Sequence, residues 1–121
     1  MKGMFINEDE YPYAQAIGMK RKLIETRSRD MLKKLVGERV AIIRTKHGEK
    51  PMVIGTVLMS LKWHEQYPWR YQDLTLIRIG GKYDTGWRWM YVCEDAKMLD
   101  PEKWFPLPEN AVRHGRSWAE W

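Results

Sequence analysis

The chain has 121 residues, 44% of them apolar and 31% charged, and carries a formal net charge of +5. That length suits one domain, residues 1–121, around a single core, and no apolar run is long enough to span a bilayer. The first ten residues lack the apolar stretch and cleavage site of a secretory signal. The single cysteine, Cys93, cannot close an intramolecular disulfide, so the expected setting is the reducing cytoplasm, with no membrane partner.

Met4 to Ile6 is a short apolar run that reads as the first strand. Pro12 suits the first turn of a short helix through Ala14, Ala16 and Ile17, with Gly18 at its end and Asp9 and Glu10 complementing its positive pole. Lys22 to Arg27 mixes β-formers with charges and reads as a strand. Ser28 or Asp30 is placed to cap a short helix through Met31, Leu32 and Leu35, stopped by Gly37. Arg39 to Thr45 is a strand, a Gly-Pro turn follows, and Met52 to Trp63 is a second long strand whose Gly55 marks a bulge. Asp73 to Ile79 fits both periodicities and is assigned to a short helix. Residues 80–86 form an exposed loop, Trp87 to Cys93 is a strand, and Ser117 to Trp121 is a closing strand. Strands with short helices between them give a mainly β, α+β domain, a partly open β-barrel.

Charge and aromatic content point to a polyanionic partner. Between Lys20 and Lys34 stand seven basic residues and two acidic ones, a density that attracts phosphates. Seven tryptophans are present, several beside cations, as in Lys62-Trp63-His64, Trp69-Arg70-Tyr71, Trp87-Arg88-Trp89 and Arg116-Ser117-Trp118. Most fill the core of a small barrel, but one or two in a cleft suffice to stack unpaired bases.

No metal site is expected. His47, His64 and His114 stand far apart, and none has a cysteine or second histidine at ligand spacing. No phosphate-loop or dinucleotide fingerprint is present, so no cofactor is implied, and no obligatory protein partner is evident.

The segment from Gly18 to Ser28 reads, from Lys22, as K-x-x-E-x-R: Lys22, Glu25, Arg27. In a straight strand Glu25 and Arg27 share a face and Lys22 does not, so Lys22 must sit in the turn before the strand, or a bulge must intervene. This segment resembles the ASCH signature G-x-K-x-x-E-x-R of the PUA-like superfamily. It departs at the glycine: Lys20 stands there, and Gly18 lies two residues earlier, which implies a shifted or lengthened loop. Pro12-Tyr13, Gly37 to Ile43, Ile54 to Val57, Trp89 to Asp95 and His114 to Trp118 resemble further landmarks of the family, in the same order.

The resemblance implies a PUA-like barrel with a cleft between the first helix, the motif strand and the C-terminal segment, and an RNA or nucleotide as ligand. Tyr13, Lys20, Lys22, Arg27, Arg116 and Trp118 are the expected RNA-binding residues. Lys22 supplies a point charge for phosphate, or a nucleophile or base if burial depresses its pKa. Glu25 accepts hydrogen bonds or transfers protons, and Arg27 grips phosphate or holds Glu25 in place. The alternative is a small metal-independent hydrolase, a ribonuclease or an amidohydrolase on a modified cytidine, using Lys22, Glu25 and Ser117. His114 is expected in an exposed loop.

Overall fold

Apolar β-formers dominate the centre of the chain, and in the computed structural model, which describes residues 1–121, they pair into one mixed sheet. Its strands are β1 (Lys2–Asn7), β2 (Ile24–Arg27), β3 (Arg39–Thr45), β4 (Met52–Glu65), β5 (Arg88–Met98), β6 (Phe105–Pro106), β7 (Val112–His114) and β8 (Trp118–Glu120). Helices α1 (Tyr13–Gly18) and α2 (Gln72–Thr75) lie between them. The order is β2-β5-β4-β3-β1-β8-β7, with β6 added to β4. Only β1 and β3 run parallel. β2 and β7 are the unjoined ends, so the barrel is partly open, as expected from the sequence.

β1 and β3 are buried on both faces, which is why their apolar residues run on without alternating. Met4, Ile6, Val40 and Ile42 enter the main core with Ala14 and Ile17 of α1. Phe5, Ala41 and Ile43 point the other way and are covered by Leu107, Ala111 and Trp121 of the C-terminal segment. Each fully buried aliphatic side chain contributes about 1.5–3 kcal/mol. The pairing of β3 with β4 slips between Ile42–Gly55 and Ile43–Val53, leaving Ile54 as the extra residue of a bulge beside Gly55. A Cβ on Gly55 would meet the Lys97 carbonyl, so glycine is what lets β5 approach.

Several expectations change in detail. The helix expected after Asp30 is a single 3-10 turn, Lys33–Leu35, because the Asp30 carboxylate is engaged by Tyr91 and Lys62 instead of capping it. Gly37, at φ 90°, does end that turn. Asp73–Ile79 is helical only to Thr75, where Leu76 turns left-handed at φ 58°. At α1 the carboxylate that meets a helix N–H belongs to Glu8, bonded to the Gln15 amide at 2.9 Å; Asp9 accepts from His47 and Glu10 pairs with Lys82. The closing strand forms, with β7 as an additional hairpin partner. No helix is long and apolar enough to cross a membrane.

Candidate functional site

A cleft of about 500 Å³ opens where the sheet fails to close, between the free end β2 on one side and β1 with the β7–β8 hairpin on the other. β1 contributes Phe5, Ile6 and Asn7, and α1 contributes Tyr13. The motif segment adds Lys22, Glu25, Thr26 and Arg27, and β5 adds Arg88. Ile77 and Tyr83 come from the loop before β5, and Arg113, Gly115 and Arg116 from the β7–β8 hairpin. Five of the lining residues are Lys or Arg, and Glu25 is the one carboxylate among them.

Lys22 is 2% exposed. It lies in the turn before β2, as convergence with Glu25 and Arg27 requires. α2 ends at Thr75, which leaves that carbonyl without a helical partner, and the Lys22 ammonium donates to it. The same nitrogen stands 3.5 Å from Glu25 Oε1 and 5.0 Å from the centre of the Tyr13 ring. Burial pulls the Lys22 pKa below its ordinary value, and the Glu25 charge restores part of the shift.

Glu25 is held by its neighbours. Its Oε1 accepts from the Thr26 amide at 3.1 Å, and its Oε2 accepts from Arg27 Nε and Nη2 at 3.2 and 3.0 Å. Burial by itself would raise its pKa, but the charges of Arg27 and Lys22 and these hydrogen bonds outweigh it and hold the carboxyl below its usual range. Behind them, buried Arg88 donates to Thr26 Oγ1 at 2.9 Å and to the Thr26 carbonyl at 3.3 Å. Arg113 and Arg116 are exposed at the mouth, with the Arg113 guanidinium 5.4 Å from the Phe5 ring centre. No group of three His, Cys, Asp or Glu side chains gathers to hold a metal.

No protein-family model matches the chain, and no curated protein does. Solved structures do. The ASCH protein from Zymomonas mobilis matches with a TM-score of 0.59 at 16% identity, covering 88% of each chain. A serine-to-alanine mutant of that protein gives 0.61 at 18% identity, covering 88% of this chain and 89% of its own. A tyrosine-to-phenylalanine mutant gives 0.62 at 17%, covering 90% and 92%. The chain has the ASCH fold.

Lys22, Glu25 and Arg27 meet in the cleft at the spacing K-x-x-E-x-R. Lys20 occupies the glycine position and adopts φ 64°, the left-handed backbone that glycine takes without strain. A lysine bears that conformation here.

Of the expected RNA-binding residues, Tyr13, Lys22, Arg27 and Arg116 line the cleft together. Lys20 does not: it is exposed on the rim of a second groove, beside Leu23, Leu74 and Cys93. Trp118 is 8% exposed and belongs to the main core, stacked on His114 at 3.9 Å. Ser117 lies next to Arg116 but outside the cleft lining, its carbonyl paired with the Phe5 amide at 3.0 Å. Arg88, Arg113, Tyr83 and Phe5 were not anticipated. Arg88 carried a usable signal, since it alternates in phase with buried Met90 and so marks a cation directed inward.

Proposed function

We propose that this chain binds RNA, single-stranded or structured, or a free nucleotide, in the cleft at the open seam of its barrel. The observation that carries this reading is the charge balance: five cations line a cleft whose one carboxylate is already engaged by Lys22, Thr26 and Arg27. The surplus positive charge is free to meet a phosphate. Arg113 and Arg116, unburied at the mouth, are the groups that grip it, and Tyr13 and Tyr83 offer aromatic surface to a base. The volume lies within the range of small-ligand pockets and suits one nucleotide unit. Cytoplasmic residence accords with the unpaired thiol of Cys93.

The deciding experiment is fluorescence anisotropy of labelled single-stranded RNA across a salt series. Binding should weaken steeply with salt, and replacing both Arg113 and Arg116 by alanine should reduce the slope of log K against log salt by about 2, roughly 1 for each lost phosphate contact. Absent binding at low salt, or binding indifferent to salt, refutes the reading.

One observation favours hydrolysis as a second reading: Lys22 is buried with a lowered pKa, a setting that activates amines. Against it, Glu25 is already engaged and Ser117 lies outside the cleft lining. Labelled RNA and an acylated cytidine, incubated with wild type and Glu25→Gln, separate the two. A binder shows no product; a hydrolase shows turnover that falls by about two orders of magnitude in the variant.

A further inference from the structure

Paired residues on neighbouring strands project from the same face of a sheet. Arg27 of β2 lies opposite Trp89 of β5, and Trp89 lies opposite His64 of β4. These three side chains form one row, starting in the wall of the cleft and running outward across two strand spacings, about 10 Å. The outer part of the row is an aromatic stack. The His64 ring is parallel to Trp89 at 4.6 Å, with Trp87 packed against it at 4.8 Å, and Lys62 Nζ stands 4.9 Å from the centre of Trp89.

We propose that this row is a stacking surface for the unpaired bases of the RNA strand that places one nucleotide in the cleft; the inference rests on the RNA-binding reading of that cleft. Three observations carry it. Trp87 is 53% exposed, so much of the indole is unused by the fold and available to a base. His64 is also exposed, and its ring touches both Trp87 and the partly buried Trp89. The charge is suited to a phosphate backbone: exposed Arg29, which has no acidic partner, follows Arg27 and Ser28 in the chain, while Arg27 and Lys62 are paired with Glu25 and Asp30. Asp30, the carboxylate beside Lys62, is occupied by that lysine and by the Tyr91 hydroxyl. A sheet row that starts in a binding cleft lets consecutive nucleotides of one strand reach both places.

The test measures the affinity of a hexanucleotide RNA and of a nucleoside monophosphate for wild type, Trp87→Ala and His64→Ala. Wild type should bind the hexanucleotide more tightly than the monophosphate, with quenching of tryptophan fluorescence. Trp87→Ala should weaken hexanucleotide binding about tenfold, leave monophosphate binding unchanged, and melt as wild type does. Should Trp87→Ala fail to fold, His64→Ala gives the same comparison. Hexanucleotide binding unchanged in the folded variants overturns this proposal alone. Wild type binding neither ligand overturns the cleft reading, and this one with it.

Discussion

Arg27 bridges the open seam of the barrel to Phe5: its Nη2 donates to the Phe5 carbonyl at 2.7 Å while Nε and Nη2 hold Glu25. One guanidinium thus joins β2 to β1, which share no backbone pairing, and fixes the only cleft carboxylate. Arg27→Lys keeps the charge but loses the planar fork. It should lower stability by about 1–3 kcal/mol, read as a reduced urea midpoint. RNA affinity should fall with it, because the cleft walls are no longer held at their native spacing. An unchanged midpoint would show that the bridge contributes nothing to stability.

Lys20 bears backbone strain. A left-handed conformation costs an L-residue roughly 1–2 kcal/mol, and glycine escapes this while losing more chain entropy on folding. Lys20→Gly should therefore raise stability by about 0.5–1 kcal/mol, visible as a higher melting temperature. Lys20→Ala retains the strain and should give no gain.

The Glu25 carboxyl titrates below its usual value of 4.5, so the native state favours its charged form. Its contribution to stability is present above that value and disappears as the pH falls through the lower, folded pKa. Glu25→Gln should be markedly less stable than wild type at pH 7, since buried Lys22 and Arg27 lose their counter-charge. The two melting curves should converge in acid. Melting temperatures measured from neutral pH downward check this; a gap that persists at the lowest pH would contradict it.

Cys93 is 4% exposed, and burial pushes its thiol up to about 12. The thiolate is the reactive form. Native protein at pH 8 should therefore resist iodoacetamide for as long as it takes to alkylate the urea-unfolded chain completely. Rapid native labelling would mean that the buried thiol is reached readily from the second groove, which Cys93 helps to line.

Local residue order was enough to place the long central strands, the α1 helix and the closing strand, because each depends on a run of neighbouring side chains with one periodicity. Arg39–Thr45 is read correctly to the residue for this reason, and Gly55 announces its bulge. The grouping of Lys22, Glu25 and Arg27 was legible too, since three residues within six positions need only one turn and one strand to converge. Segments without a sustained period were less legible: Asp73–Ile79 shortened to a single helical turn at Leu76, whose left-handed backbone no propensity announces.

Tertiary structure alone decided the rest of the cleft. Arg88, Arg113 and Tyr83 reach it from positions 61 or more residues from Lys22, and only the order β2-β5-β4-β3-β1-β8-β7 brings those strands around one gap. It also decided which tryptophans are buried. Trp118 and Trp87 both have arginines close by in the sequence, yet the sheet turns Trp118 into the core and leaves Trp87 outside. The sequence by itself determined the strand content, the positive charge and the motif, all of which follow from local pattern. Strand pairing determined which of those charges and rings face one another, because register is set by the burial of a whole sheet face rather than by any residue on it.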